Sequence, residues 1–171
     1  MIKGLKDIFW PPKKDDLPDG ELVFKSELAG RVIRADGREE DLGTLSRRVV
    51  TTAFVNYLVD CMQNSTTSPL DIFIYHDAGK ENSAEAVGDT TLGTAWGGDR
   101  GTGTKTEGAS GNIYKSVGTI TFTSSNAIVE HGLFSAAAAG TLLDRSTFAQ
   151  ISVASDDAIE FTYQLTCSAG G

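Results

Sequence analysis

Residues 112–165 carry the reading that decides the fold. They run Asn112-Ile-Tyr-Lys-Ser-Val-Gly-Thr-Ile-Thr-Phe-Thr-Ser124, then Ala127-Ile-Val-Glu-His-Gly-Leu-Phe-Ser135, Thr141-Leu-Leu-Asp-Arg-Ser-Thr-Phe148 and Ala158-Ile-Glu-Phe-Thr-Tyr-Gln-Leu165. Apolar and aromatic residues tend to alternate with small polar ones, the period of a strand with one buried face. Val117, Ile120, Phe122, Ile128, Phe134, Leu143, Phe148, Ile151, Val153, Ile159, Phe161, Tyr163 and Leu165 are the candidate inner faces. Ser124–Asn126, the Ala136–Gly140 tract and Ser155–Asp157 punctuate the runs at turn spacing. The expectation is a mainly β chain, an antiparallel β-sandwich of jelly-roll-like form, with one buried helix and an N-terminal arm.

Upstream of this stretch the character changes more than once. Residues 1–20 read as an arm: Ile2, Leu5, Ile8 and Phe9 recur at helical spacing, Trp10 follows, and Pro11-Pro12 stops any helix. Lys13 to Gly20 then reads as an extended polar linker with a turn. Residues 21–171 form the sandwich domain, opening with strand candidates at 21–28 and 31–34 and a tight turn at Asp36-Gly37. Thr44 to Ser46 offers a cap for a helix over 47–63, whose apolar stripe (Val49/Val50, Ala53/Phe54, Tyr57/Leu58, Cys61/Met62) is broad enough to demand cover on most sides. Asn64 to Ser68 ends it, and a buried strand is expected over 69–76. The Gly/Thr-rich segment 78–111, with Trp96 as its apolar anchor, reads in part as an extended surface loop that orders on a partner.

Composition narrows the function. A chain of 171 residues, 40% hydrophobic, can bury one core of useful size. Its formal charge of −8 opposes broad neutralisation of nucleic-acid phosphate. No run approaches the ~20 apolar residues that span a bilayer, and the first ten residues are too short for a secretory signal. Cys61 and Cys167 lack the spacing of a zinc site and read as small buried hydrophobes rather than a disulfide.

Candidate chemistry is sparse. Gly97-Gly-Asp-Arg-Gly-Thr-Gly-Thr-Lys-Thr106 lacks the glycine-lysine step and the flanking strand and helix of a phosphate loop. His76-Asp77 and Glu130-His131 are adjacent pairs whose members point to opposite faces of a strand, so neither is a dyad alone. The two histidines could meet across a sheet and bind metal with Asp77, but backbone-satisfied structural histidines are the commoner case. Glu85/Asp89 and Asp156/Asp157 read as surface charge. No catalytic, cofactor or metal site is expected.

Several motifs carry a resemblance. Arg47-Arg-Val-Val-Thr-Thr-Ala-Phe-Val-Asn-Tyr-Leu-Val-Asp60 with Tyr75-His-Asp-Ala-Gly79 is similar to a family of tailed-bacteriophage virion structural proteins. So are Glu107-Gly-Ala-Ser-Gly-Asn-Ile-Tyr-Lys115, Ile128-Val-Glu-His-Gly-Leu-Phe134, Gly140-Thr-Leu-Leu-Asp-Arg-Ser146 and Ile159 to Thr166. The likeness spans roughly residues 30–171. It implies a non-enzymatic virion structural protein of a kind variously labelled capsid decoration (cement) or tail-associated; the leading reading is a decoration protein, made in the host cytoplasm and placed on the capsid exterior, that staples subunits of the major capsid protein. It implies no catalytic residue. Charge and hydropathy argue for no nucleic-acid or membrane partner, and a homo-oligomer is expected, for which a trimer fits a three-fold site. Ile2, Leu5, Ile8, Phe9 and Trp10 of the arm, with Trp96 and Arg100 of the Gly/Thr segment, are the expected partner contacts. A tail or tail-fibre adaptor is a second reading. A carbohydrate-binding module stacking sugars on Trp96 and Tyr114 is a third.

Overall fold

The computed structural model describes residues 22–47, 49–63 and 70–169; the arm residues Ile2, Leu5, Ile8, Phe9 and Trp10 lie outside them. Among the described residues ten strands form two antiparallel sheets. In the first, β1 (Leu22–Ile33), β2 (Glu39–Ser46), β6 (Thr104–Glu107), β7 (Ile113–Thr121) and β10 (Ala158–Ala169) take the order β2-β1-β10-β7-β6. In the second, β3 (Val49–Val50), β4 (Tyr75–Gly79), β5 (Gly101–Thr102), β8 (Asn126–Phe134) and β9 (Leu142–Val153) take the order β3-β9-β8-β4-β5. This is a β-sandwich, as the alternation predicts.

The centre of the first sheet is β1 paired with β10 along its whole length, Leu22 opposite Ala169 through Ile33 opposite Ala158. The two strands expected over 21–34 are thus one, and Gly30 lies within it opposite Phe161. The Asp36-Gly37 turn forms as expected: Gly37 takes φ 86°, and its N–H donates to the Arg34 carbonyl at 2.8 Å. Leu28, Val32, Ile120, Phe122, Ile128, Leu133, Leu143, Ile159, Phe161 and Tyr163 interdigitate between the sheets as one core.

Two of the expected core residues face elsewhere. On β7 the inward positions are Ser116, Gly118 and Ile120, which leaves Val117 on the outer face. On β8 the register shifts between Ile128 and Glu130 and again between Leu133 and Phe134. Phe134 therefore joins Leu92, Leu142 and Tyr75 in a second, smaller apolar cluster.

The helix α1 is Thr52–Gln63, five residues shorter at its start than the apolar pattern suggests. Val49 and Val50 instead pair with Arg145 and Asp144 as an edge strand. Thr51 sets the true start, its Oγ1 accepting the Phe54 N–H at 3.2 Å. Phe54 drives into one end of the sandwich and meets Phe24 and Phe73 edge-on, at ring-centroid distances of 5.9 and 5.2 Å. The buried strand expected over 69–76 resolves into a 3₁₀ turn, Leu70–Ile72, followed by β4.

The Gly/Thr-rich segment is not an extended loop awaiting a partner. Its end supplies β5 and β6, and Glu81, Gly93 and Thr94 bond Glu130 of β8 in the second sheet. Lys80 N–H bonds the Thr94 carbonyl and Trp96 N–H the Ala78 carbonyl, closing the segment on itself and on β4.

Candidate functional site

Three features could carry function: a polar seam between the sheets, an ionic lattice under residues 80–100, and an apolar groove beside α1. The seam begins with His76 and His131 on neighbouring strands of the second sheet. Their rings meet directly, His76 Nδ1 to His131 Nε2 at 3.0 Å, and His76 Nε2 reaches Ser116 Oγ of the first sheet at 2.8 Å. Gly118 and Gly103 make room for the His76 ring, since a Cβ on either would overlap it. The polar and glycine positions on the inner face of β7 thus exist to seat an imidazole.

His76, His131 and Ser116 are all fully buried. Burial pushes His76 down to about 3, and His131 well below the usual imidazole range, the latter also through its histidine neighbour. Both rings are therefore neutral at pH 7. Among the described residues His131 Nδ1 has no partner, and a buried lone pair is tolerated better than a buried N–H. The tautomer that follows has His131 Nε2–H donating to His76 Nδ1, and His76 Nε2–H donating to Ser116 Oγ. In that state the serine receives a proton bond instead of surrendering one, and the array holds the two sheets in register.

Asp144 lies close by on β9. Burial pushes its carboxyl up to about 7, against the Ser26 and Ser146 hydroxyls, and Ser146 Oγ donates to Asp144 Oδ1 at 2.8 Å. The histidines meet each other, not backbone groups, and Asp77 takes no part because it faces the opposite side of β4. Among the described residues no group of three or more His, Cys, Asp or Glu is placed to hold a metal ion.

On that opposite side Glu85 and Asp89, read as surface charge, are structural, as is Asp157 at another turn, whereas Asp156 is exposed as expected. Glu130, fully buried, accepts the N–H groups of Thr94 (2.9 Å), Gly93 (3.1 Å) and Glu81 (3.2 Å), and pairs with Arg145 Nε at 2.8 Å. Arg145 reaches on to Asp89 at 3.1 Å, and Glu85 accepts the Thr147 N–H at 2.8 Å. This lattice clamps residues 80–100 onto β8 and β9. Asp157 likewise accepts the Ala154 and Ala35 N–H groups and pairs with Arg34; these contacts hold it at about 2.

Both expected contact residues of the segment are internal. Trp96 is only 8% exposed and meets Phe122 edge-on at 5.0 Å. Arg100 bonds Asp77 at 3.0 Å and the Ala136 and Ala139 carbonyls at 2.7 Å, with its guanidinium 3.5 Å above the Phe134 ring. It ties the β8–β9 turn to β4, so neither residue offers a free surface. Tyr114 donates its hydroxyl to the Phe73 carbonyl at 2.7 Å and lines the groove by α1, so it shares no sugar platform with Trp96.

The groove is the feature that composition could not show. It measures about 260 Å³ and runs between α1 (Phe54, Leu58), the start of β1 (Leu22, Phe24), the segment bearing Leu70 and Phe73, and Tyr114, Leu143, Leu165 and Cys167 of the sheets. Its rim residues Leu22 and Leu70 are 54% and 44% exposed, and Val55 and Val59 on the outer face of α1 are 38% and 43% exposed. Val87 is exposed too, and its carbonyl accepts the Thr52 N–H at the head of the same helix. Among the described residues the helix is thus covered on one side only, where its pattern called for more. Among the described residues neither Cys61 nor Cys167 is in a disulfide, and no helix is long and apolar enough to cross a membrane. Comparison of the chain with protein-family models, with curated proteins and with solved structures finds no significant match.

Proposed function

We propose that this chain is a non-enzymatic virion protein of a tailed bacteriophage, a decoration protein that binds the capsid exterior and staples subunits of the major capsid protein. The observation that carries the reading is the uncovered apolar face of α1, Val55 and Val59, continued by Leu22, Leu70 and Val87. Exposed aliphatics gathered around one helix are what a protein-protein contact requires. The groups that bear chemistry are instead spent inside the frame, the imidazoles as an inter-sheet bridge and the buried carboxylates as clamps. Stapling follows from covering this face with two coat subunits at once, because parting them then re-exposes apolar surface. Repetition over a symmetric shell multiplies each modest contact. The formal charge of −8 suits an outer layer docked on a more basic coat surface.

The decisive experiment counts the chain in purified virions on a stained gel and compares a Val55→Asp/Val59→Asp variant. Hundreds of copies per particle, with occupancy reduced at least tenfold by the variant, is the expected result. A handful of copies would move the protein to the tail, and none at all would remove it from the virion.

A further inference from the structure

One edge of β7 is only partly paired. Phe122, just past the strand, donates its N–H to the Asp157 carbonyl at 2.8 Å and accepts the Asp156 N–H at 2.7 Å, so its backbone groups face the β10 side. Those of successive strand residues point to alternate edges, which turns Thr119 and Thr121 toward the β6 side. There β6 pairs with β7 only as far as Thr104 opposite Val117. The chain departs at Gly103, whose N–H bonds the Ile74 carbonyl, and β5 joins β4 of the other sheet. Gly101 abuts the Thr119 carbonyl. Among the described residues nothing bonds the N–H or C=O of Thr121. We infer that this open rung and the cavity beside it bind an extended segment of another protein, which adds to β7 as a short strand and brings a Lys or Arg. The role in a virion is not assumed.

Edge geometry, shape and charge agree. An unpaired strand edge is a template for backbone pairing, and such pairing draws its selectivity from a pocket for a side chain. Here the pocket is a cavity of about 330 Å³ against Thr121, with Trp96 and Ile120 as its apolar lining. Asp99 lies in its wall. This carboxylate is exposed and makes no ion pair among the described residues, whereas Arg100 beside it is already held by Asp77. A cationic side chain next to the paired rung therefore meets a free negative charge. A second copy of the chain is the poorer occupant. It would bring a formal charge of −8 against another of −8, and its own edge presents the same Asp99.

The test titrates the full-length chain with capped peptides and follows its backbone amide chemical shifts. The probes are acetyl-Lys-Val-Thr-Val-Lys-amide, the same peptide with Glu in place of Lys, and the Lys peptide N-methylated at its three central residues. The expected result is a saturable shift of residues 98–101 and 119–123 by the Lys peptide, with the other two binding at least tenfold more weakly. Thr121→Pro removes the donor without breaking a ladder bond, because that N–H faces away from β10. It should weaken the Lys peptide at least tenfold. Asp99→Lys, in an exposed position, should reverse the preference between the Lys and Glu peptides, and it decides the matter if Thr121→Pro fails to fold. No saturable shift, equal binding of the N-methylated peptide, or shifts confined to other residues would overturn the inference. So would full affinity in a folded Thr121→Pro or an unchanged preference in Asp99→Lys. A concentration-dependent dimer abolished by Thr121→Pro would overturn it in favour of a second copy. None of these outcomes bears on the copy number in virions, so this inference and the proposed function fail separately.

Discussion

Glu130→Ala tests the lattice that fixes residues 80–100. The carboxylate is fully buried and accepts four hydrogen bonds, three from backbone N–H groups of the overlying segment and one from Arg145. Truncation leaves the Arg145 guanidinium, itself almost wholly buried, with only the more exposed Asp89 as a charge partner. Breaking one side of a buried ion pair costs ~3–5 kcal/mol. The freed N–H groups lie in a surface segment and recover water in part, so a total of about 4 kcal/mol is expected. Glu130→Gln keeps one acceptor oxygen but turns an amide toward donors, and should cost nearly as much. Replacing both partners, Glu130→Leu with Arg145→Leu, should recover part of the loss because no charge is then stranded. Urea unfolding at pH 7 measures all three variants, and amide exchange over residues 80–99 locates the effect. A loss below about 1 kcal/mol, or unchanged protection in the segment, would refute the clamp.

The seam makes stability depend on pH in a defined sense. His76 and His131 are depressed in the folded state, so the stability they contribute is present above about 6.5 and is lost as pH falls, for His76 until about 3. Asp144 is raised to about 7, so its contribution is present below 3.8 and is lost as pH climbs; Asp77, also raised by burial, acts in the same sense. Asp144→Asn removes an opposing contribution, and between pH 6.5 and 5 its unfolding free energy should fall more steeply than the parent's by about 1.4 kcal/mol per pH unit. Parallel slopes in urea titrations at four pH values would count against a neutral buried Asp144. Gly118→Ala should cost ~1–3 kcal/mol by driving a methyl into the His76 ring. Wild-type stability for this variant would show that the imidazole is not seated there.

How much of this was legible before folding depends on the range of the interaction involved. The sandwich and its turns were, because strand period and the Asp36-Gly37, Ala136–Gly140 and Ser155–Asp157 punctuation are local properties of backbone and side chain. Even there Val117 and Phe134 misled, the first because Ser116 and Gly118 yield the inner face of β7 to a histidine. The second misled because bulges in β8 change which face each residue meets. The helix began late because Val49 and Val50 had a strand to join, a fact held by Arg145 and Asp144 of β9, far along the chain.

The sequence by itself determined the β architecture, the acidic charge and the existence of one amphipathic helix, since each follows from composition or from spacing within a few residues. Tertiary structure alone decided that His76 would face His131, that Glu130 would be a clamp, that Trp96 and Arg100 would be internal, and that α1 would leave a groove beside Leu22. Those outcomes turn on burial and on partners far apart in the chain. A side chain's charge state, exposure and role are settled by what surrounds it, and that is set only when the two sheets close.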